Sequence, residues 1–313
     1  MIVMTLRIVA GTANRGLAEA VAAELYMEPA ASEVERFPDG ELRPVVANVR
    51  GADVYLVQPT GPPVNDHVIE LLLLLDACRR DRAGRVTVVA PYFGYARQDR
   101  RRRPGEAIGV RVMADALATA GAGRLVVVDP HMPAIEAVCA MPTDALTAVP
   151  VLANALWERL PADAVVVAPD LGAVRLARHY ARLLSRPVVM VRKTRLTGAD
   201  VMTEGLVGEV SGRPALLVDD MITTGGTIDA AVDVLLAGGA QADIAVSATH
   251  GVLVEPAARR LARPEIHDVV VTDTLPQRDG PRTRRVCSIA PLLADAIGRL
   301  HRDEPLDELL VHA

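Results

Sequence analysis

The sequence predicts an α/β fold with two similar open domains, each built on a mainly parallel sheet. Short apolar, β-branched runs recur along the 313 residues, and most are followed by a segment with helical periodicity. Continuous apolar strands of this kind are typical of parallel sheets that are buried on both faces. A length of 313 residues also exceeds the usual ~100–200 residues of one domain, so we expect two domains.

The predicted strands and helices alternate along the chain, as in doubly wound sheets with right-handed crossovers. In the first half the strands cover Leu6–Gly11, Val54–Pro59, Val86–Tyr92 and Leu125–His131. In the second half they cover Ala164–Asp170, Pro187–Lys193, Ala215–Asp220, Ile244–His250 and Asp268–Thr274. The helical patterns cover Asn65–Arg80, Ile108–Ala120, Ala173–Leu184, Thr227–Leu236 and the terminal Ser288–Leu300.

The series of strands divides near Met141–Pro150, which we interpret as a linker. This division predicts an N-terminal domain over residues 1–147 and a C-terminal domain over residues 148–287. The C-terminal segment 288–313 could pack on either half of the chain, and joining the N-terminal domain is one of these two options.

Composition and charge exclude several classes of protein. No window approaches the ~18 consecutive apolar residues that a membrane span requires. The three cysteines lie far apart without a CxxC motif, so we expect neither a disulfide framework nor a cysteine-built zinc site. A net charge of −5 gives no general attraction to nucleic acid or to an anionic membrane. We therefore expect a cytoplasmic protein that binds phosphate groups only locally.

Polar residues end five of the predicted strands, at Asp129–His131, Ala168–Asp170, Arg192–Arg195, Asp219–Asp220 and Thr249–Gly251. Open α/β sheets bind their ligands in the crevice beyond the carboxyl ends of the strands. Five polar strand ends on two halves of the chain therefore predict an active-site crevice between them.

The most specific motif is VDDMITTGGT, over Val218–Thr227. Its glycines permit a tight turn, and the loop amides with the following helix N-terminus form a cradle for a phosphate. The carboxylates of Asp219 and Asp220 would repel that phosphate, but they suit the hydroxyls of an attached sugar or a metal ion. A sugar phosphate satisfies both ends of the motif. A plain strand–turn–helix is the alternative, which the two preceding carboxylates disfavour.

VDDMITTGGT resembles the loop for 5-phosphoribosyl 1-diphosphate (PRPP) that phosphoribosyltransferases and PRPP synthetases share. Seven further motifs stand in the order and spacing of ribose-phosphate pyrophosphokinases: FPDGE (Phe37–Glu41), PYFGYARQDRR (Pro91–Arg101), VDPH (Val128–His131), APDLGAV (Ala168–Val174), KTR (Lys193–Arg195), ATHGVL (Ala248–Leu253) and VTDTLP (Val271–Pro276). The resemblance covers essentially the whole chain. It implies two α/β domains of the phosphoribosyltransferase type, an N-terminal ATP side and a C-terminal ribose-5-phosphate side.

The implied reaction transfers the pyrophosphoryl group of ATP to the anomeric hydroxyl of ribose 5-phosphate, giving PRPP and AMP. The implied ATP contacts are Phe37, Asp39, Gly40, Glu41, Arg97, Gln98 and Asp99, with Asp99 orienting Arg97. The FPDGE loop is expected to reach ATP in a neighbouring subunit, which implies a homo-oligomer of at least two subunits. Standing alone, FPDGE would indicate only an ordinary turn, and we interpret Arg102 and Arg103 as a solvated charge run.

The resemblance assigns the remaining motifs as well. Lys193 and Arg195 correspond to the catalytic cations, on a loop through Thr197–Asp200 that is expected to close over ATP. His131 and Asp170 match the metal-site positions, with Mg²⁺ as the implied cofactor. The implied ribose-5-phosphate contacts are Asp219, Asp220, Thr223, Thr224, Gly225, Gly226 and Thr227.

Two alternatives remain open at this point. A phosphoribosyltransferase would share VDDMITTGGT but would not need FPDGE or RQDRR. A non-catalytic, synthetase-like regulatory subunit would keep the fold and typically lose catalytic residues, whereas Lys193, Arg195, His131 and Asp170 are all present. The sequence departs from the family pattern at positions 134–139 and 173–176. In these departures it resembles compact members of the family that are not regulated by ADP and phosphate.

Overall fold

Two open sheets organise the chain. The computed structural model describes the backbone of residues 4–195, 202–277 and 283–311, and the side chains of 4–192, 205–277 and 283–311. Contacts divide the chain into a first unit of Met1–Thr147, Thr274–Pro276 and Ser288–Ala313, and a second unit of Ala148–Asp273 and Gln277–Cys287. The division into an ATP-side and a ribose-5-phosphate-side domain stays a prediction.

The first unit contains a five-stranded parallel sheet and an antiparallel hairpin. Its strands are β1 (Leu6–Ala10), β2 (Ser32–Arg36), β3 (Leu42–Val46), β4 (Asp53–Val57), β5 (Arg85–Val89), β6 (Arg124–Val128) and β7 (Thr143–Leu146). The sheet has the order β1-β4-β5-β6-β7, while β2 and β3 form the hairpin. The helices are α1 (Arg15–Glu24), α2 (Val64–Arg80), α3 (Gly109–Ala120) and α4 (Ile135–Val138).

The second unit contains a seven-stranded sheet. Its helices are α5 (Val149–Trp157), α6 (Val174–Leu184), α7 (Gly226–Ala237) and α8 (Ala257–Leu261). Its strands are β8 (Val165–Ala168), β9 (Val188–Arg195), β10 (Met202–Val207), β11 (Ala215–Ile222), β12 (Ile244–Gly251), β13 (Ile266–Thr272) and β14 (Arg284–Cys287). The order is β10-β9-β8-β11-β12-β13-β14, and β10 pairs antiparallel with β9 while the other pairs are parallel. The last helix, α9 (Ala290–His301), belongs to the first unit.

The predicted α/β fold with two mainly parallel sheets is confirmed. The central strands are buried along their length, as the continuous apolar runs indicated, and β4 and β12 have no exposed position. In α2 the leucines Leu71, Leu74 and Leu75 pack into the core of the first unit, which explains the apolar block in that helix. Each fully buried leucine contributes about 1.5–3 kcal/mol through removal of its surface from water.

The prediction of a linker over Met141–Pro150 is wrong. Thr143–Leu146 forms β7, which pairs parallel with β6, and α5 begins at Val149. The segment contains two prolines and only a short apolar run, but Pro150 occupies the first turn of α5, where its missing N–H is not needed. The boundary between the two units nevertheless falls between Thr147 and Ala148.

A buried carboxylate fastens the last helix to the first sheet. Asp53, at the start of β4, has no exposed surface and accepts two 2.7 Å hydrogen bonds from Arg85 at the start of β5. The Nδ1 atom of His301, at the end of α9, lies 2.8 Å from Asp53 Oδ2. Desolvation raises the pKa of Asp53, but the hydrogen bonds of Arg85 and His301 outweigh it and hold that pKa below its ordinary value.

Within the described ranges, no helix is both long enough and apolar enough to span a membrane.

Candidate active site

The carboxyl end of β11 leads into a short loop that begins α7. Residues 223–225 form bends, Gly225 adopts φ +75°, and α7 starts at Gly226. A side chain is strained at that φ, which explains the glycine. The loop is fixed to the neighbouring segment because Leu253 N–H donates to Ile222 O at 2.9 Å and Val254 N–H donates to Thr223 O at 3.0 Å. The N-terminal amides of a helix of this kind attract an anion.

Two carboxylates precede this loop on the same strand. Asp219 and Asp220 are half-buried, and Asp219 Oδ1 accepts the Asp220 N–H at 2.9 Å. Burial raises the pKa of Asp219 well above its ordinary value, and the negative charges of Asp220 and Asp170 raise it further. The site therefore carries excess negative charge that hydrogen-bond donors or a cation would compensate.

Asp170 follows β8 and influences the same carboxylates. Its side chain is exposed, and its Oδ1 accepts the Ala173 N–H at 3.1 Å, which stabilises the turn that leads into α6. Its charge contributes to the raised pKa of Asp219, so the structure brings Asp170 and the acidic pair into electrostatic contact. These three predicted residues belong to one end of the second sheet.

The predicted catalytic cations lie on the strand beside β8. The backbone of Lys193 and Arg195 belongs to β9, where they pair with Glu204 and Met202 of β10. Their side chains, and the predicted loop Thr197–Asp200, lie outside the described residues. Their role therefore stays a prediction from the motif.

A cavity of about 540 Å³ in the first unit is lined by some of the residues that the motifs predict to contact ATP. Arg97 and Gln98 line it together with two tyrosines and two further arginines, and the complete lining is Val64, Tyr92, Tyr95, Arg97, Gln98, Arg100, Arg102, Glu106 and Ala107. Asp99 lies beside it, with Oδ1 3.8 Å from Arg100 Nε, while its predicted orientation of Arg97 stays a prediction. Flat aromatic surfaces and arginines together suit a nucleotide with its phosphates.

Arg102 and Glu106 border the cavity as well, although the motifs did not single them out as contacts. Arg102 is exposed, so its interpretation as a solvated charge stays a prediction. Glu106 accepts the backbone N–H groups of Arg102 at 2.6 Å and Arg103 at 3.1 Å, which fixes the arginine-rich loop. The only sequence signal for Glu106 was an acid four residues after Arg102.

The FPDGE motif forms the tip of the β2–β3 hairpin. Phe37 N–H donates to Glu41 O at 2.8 Å and Glu41 N–H donates to Asp39 Oδ1 at 3.1 Å, while Gly40 has φ +97°. The guanidinium of Arg43 lies 5.1 Å from the centre of the Phe37 ring. Asp39, Gly40 and Glu41 are exposed, and in the described chain none of the tip residues lines the cavity of the first unit.

His131 is exposed after β6, two residues beyond the buried Asp129, whose φ of +35° is unusual for a residue other than glycine. His131 belongs to the first unit and Asp170 to the second. In the parts of the chain with described side chains, no three His, Cys, Asp or Glu residues are grouped closely enough to hold a metal ion. Among these described residues, His131 and Asp170 are therefore not part of such a group, and their role as metal ligands stays a prediction.

Comparisons with known proteins agree with the motifs. Residues 6–121 match the family model of the N-terminal domain of ribose phosphate pyrophosphokinase, and residues 201–311 match that of the phosphoribosyl synthetase-associated domain. The ribose-phosphate pyrophosphokinase of Caldanaerobacter subterraneus is 40% identical over 97% of this chain and 98% of its own. That of Rhodopirellula baltica is 40% identical over 97% and 98%.

A solved structure extends the likeness to three dimensions. The crystal structure of phosphoribosylpyrophosphate synthetase from Mycobacterium smegmatis is 39% identical, with a TM-score of 0.89 over 96% of this chain and 99% of that one. The resemblance inferred from the eight motifs is thereby confirmed. By its sequence and by its fold, the chain belongs to the ribose-phosphate pyrophosphokinase family.

Proposed function

We propose that this chain transfers the pyrophosphoryl group of ATP, as a unit, to the anomeric hydroxyl of ribose 5-phosphate. The anomeric oxygen forms a bond to the β-phosphorus, and the bond from that phosphorus to the α-phosphate oxygen breaks. The hydroxyl proton is released, and AMP leaves with the electrons of the broken bond. The observation that carries the proposal is the acidic pair with a raised Asp219 pKa, directly followed by the glycine loop that begins α7.

Ribose 5-phosphate occupies this end of β11 in the proposal. The carboxylates of Asp219 and Asp220 accept hydrogen bonds from the ribose hydroxyls, which supply the donors that the crowded charges need. The 5-phosphate lies in the loop, held by backbone N–H groups and threonine hydroxyls. We call these residues the ribose-phosphate site: Asp219, Asp220, Thr223, Thr224, Gly225, Gly226 and Thr227.

ATP occupies the cavity of the first unit. Arg97 and Gln98 contact the nucleotide from the cavity wall, and Asp99 positions the arginines next to it. Arg100 and Arg102 add positive charge where the triphosphate is expected. Because the overall charge of the chain is −5, this local arginine cluster is what attracts a polyanion.

The exposed hairpin tip supports a homo-oligomer. Phe37, Asp39, Gly40 and Glu41 are held in a defined turn by backbone hydrogen bonds, yet in the described chain they do not line the cavity. We propose that they contact the adenine of ATP bound to a neighbouring subunit, with stacking on Phe37, so the protein works as a dimer or a larger assembly. We propose a cytoplasmic location, because ATP and sugar phosphates are available there.

Lys193 and Arg195 supply positive charge to the transferring phosphates. The charge on those oxygens must be neutralised in the transition state, and two cations beside them would lower that barrier.

The charge at this end of the second sheet supports Mg²⁺. Asp220 and Asp170 raise the pKa of Asp219, and a hard divalent cation with oxygen ligands would compensate such charge, although the described carboxylates are not grouped closely enough to hold an ion by themselves. We propose that His131 and Asp170 hold the ion, together with water and the substrate phosphates. When bound, Mg²⁺ neutralises charge on the phosphate oxygens of ATP.

The direct test incubates the protein with ATP, ribose 5-phosphate and Mg²⁺ and identifies the products. We expect AMP and PRPP in equal amounts, and loss of most turnover in Lys193→Ala without a change in thermal unfolding. A non-catalytic subunit would give no product, and ADP would indicate an ordinary kinase. Both outcomes contradict the proposal.

A further inference from the structure

Arg260 reaches the ribose-phosphate site from a distant part of the sequence. It lies on α8, and its Nη1 donates a 3.0 Å hydrogen bond to the carbonyl oxygen of Thr224. A Cβ atom added at Gly225 would lie 3.4 Å from Arg260 Cβ, and one added at Gly226 would lie 3.4 Å from Arg260 Nη1. The arginine therefore packs directly against the two glycines of the loop.

The hydrogen bond to Thr224 controls the orientation of one peptide group. The carbonyl of Thr224 and the N–H of Gly225 belong to the same planar, trans peptide, so they point in opposite directions. While Arg260 holds the carbonyl on its own side, the Gly225 N–H is directed to the side away from Arg260. This N–H is one of the donors that the start of α7 offers to an anion.

Arg260 also changes the charge near the start of α7. Asp229 lies in the first turn of the helix, where its negative charge would oppose a bound phosphate. Arg260 Nε lies 3.9 Å from Asp229 Oδ2, and Arg263 Nη1 lies 3.0 Å from Asp229 Oδ1. The two arginines therefore compensate the one acid of this turn.

We infer that Arg260 is a positioning residue for the 5-phosphate of ribose 5-phosphate. It fixes the Thr224–Gly225 peptide so that the Gly225 N–H donates to the phosphate, and it compensates the charge of Asp229. The inference rests on the proposed function for the identity of the ligand. It predicts a defect specific to the phosphate end of the sugar, because Arg260 reaches neither Asp219 nor Asp220 through the contacts described above.

The test compares Arg260→Ala and Arg260→Lys with Arg259→Ala. Arg259 is the matched control, because it is an exposed arginine on the same helix and its loss removes the same charge. Binding of ribose 5-phosphate and of unphosphorylated ribose is measured by calorimetry, and KM and kcat are measured for both substrates. We expect about a tenfold weaker affinity for ribose 5-phosphate in Arg260→Ala, the change that loss of one charged hydrogen bond produces.

The remaining readouts distinguish positioning from general damage. KM for ATP and the weak affinity for ribose should stay within about twofold of the wild type, and Arg260→Lys should recover part of the affinity because it keeps the charge without the planar fork. The inference is overturned if Arg260→Ala binds ribose 5-phosphate as tightly as the wild type does. It is also overturned if Arg259→Ala loses as much affinity for ribose 5-phosphate as Arg260→Ala does, or if Arg260→Ala raises KM for ATP as much as KM for ribose 5-phosphate. If Arg260→Ala does not fold, a wild-type affinity in Arg260→Lys would overturn it.

The proposed function can fail separately. If the wild-type protein binds ribose 5-phosphate but forms no PRPP, the proposed reaction is wrong, while the calorimetric comparison still decides the role of Arg260.

Discussion

Asp219 has a pKa well above its ordinary value, because lost hydration and the negative charge of Asp220 both oppose its ionisation. A carboxylate whose pKa is raised by burial and by a neighbouring negative charge weakens the fold when no ligand is bound. Proteins retain a destabilising pair of carboxylates where ligand binding requires it. The hydroxyls of a bound sugar would supply the hydrogen-bond donors that these carboxylates need. The acidic pair therefore links the stability of the second unit to its proposed ligand.

Asp219→Asn should stabilise the unliganded protein and weaken sugar binding. The pKa of Asp219 is higher in the folded than in the unfolded protein, so its ionisation favours unfolding. This loss of folding stability is absent below pH 3.8 and grows as the pH rises from 3.8 through the folded pKa. At neutral pH a gain of about 1 kcal/mol, or about 2–4 °C in Tm, is expected by thermal unfolding. KM for ribose 5-phosphate should rise about tenfold, and more than KM for ATP.

Asp233→Asn is the control, since Asp233 is an exposed carboxylate on α7. It should leave KM for ribose 5-phosphate unchanged. A lower Tm in Asp219→Asn, or equal effects on both KM values, would contradict the account of the acidic pair.

Gly225→Ala should damage the ribose-phosphate site beyond its effect on stability. A side chain at φ +75° costs about 1–2 kcal/mol of stability, and the new Cβ would meet Arg260 Cβ at 3.4 Å, an ordinary contact distance. Gly212→Ala is matched, because Gly212 has φ +66° with no atom within 4 Å of an added Cβ. Chemical denaturation should show similar losses in both variants, whereas only Gly225→Ala should raise KM for ribose 5-phosphate. Equal KM values in the two variants would argue against a phosphate cradle at this loop.

Gly109→Ala should impair ATP binding. An added Cβ at Gly109, the first residue of α3, would lie 2.6 Å from Gln98 Oε1 and 3.1 Å from Gln98 Cβ, so the glutamine must move. We expect KM for ATP to rise several-fold without a change in KM for ribose 5-phosphate. Gly16→Ala, where an added Cβ meets nothing within 4 Å, should change neither KM and should stabilise α1 by about 0.5 kcal/mol. An unchanged KM for ATP in Gly109→Ala would remove Gln98 from the nucleotide site.

Arg85→Ala should destabilise the first unit in a pH-dependent way. It leaves the buried charge of Asp53 with His301 as its remaining described partner, and the expected loss is about 3 kcal/mol at neutral pH. The folded pKa of Asp53 is held below 3.8, so this contribution is present above 3.8 and is lost as the pH falls through the folded pKa. Urea unfolding at pH 7 and at pH 3 measures the difference.

The exposed pair of Arg111 and Asp115 provides the comparison. Arg111→Ala should cost less than about 1 kcal/mol at either pH. If Arg85→Ala costs no more than that, Asp53 does not fasten α9 to the sheet.

The central strands were predictable from sequence because burial on both faces leaves continuous apolar runs. The missed strands lie in the hairpin or at sheet edges, where exposed positions carry polar residues. Ser32–Arg36 reads SEVER and Arg284–Cys287 reads RRVC, and neither contains an apolar run. The antiparallel pairing of β10 with β9 also has no sequence signal, because the KTR motif and the residues after it predict one strand and a loop.

The sequence predicts candidate site residues where they are contiguous, and their roles stay predictions. The loop from Asp219 to Thr227 and the Arg97–Gln98 pair are short motifs whose residue types already express their chemistry. Arg260 was not predictable, because its contact with Thr224 spans 36 positions and depends on how α8 packs beside α7. The same reason applies to the pairing of Asp53 with His301, which spans 248 positions.

The most direct test of pyrophosphoryl transfer follows the β-phosphate of ATP. The protein is incubated with ribose 5-phosphate, Mg²⁺ and ATP that is radiolabelled at the β-phosphate, and the products are separated by chromatography. We predict that the label appears in PRPP, with one unlabelled AMP formed for each PRPP. Label retained in ADP, or in free pyrophosphate without PRPP, would contradict the account.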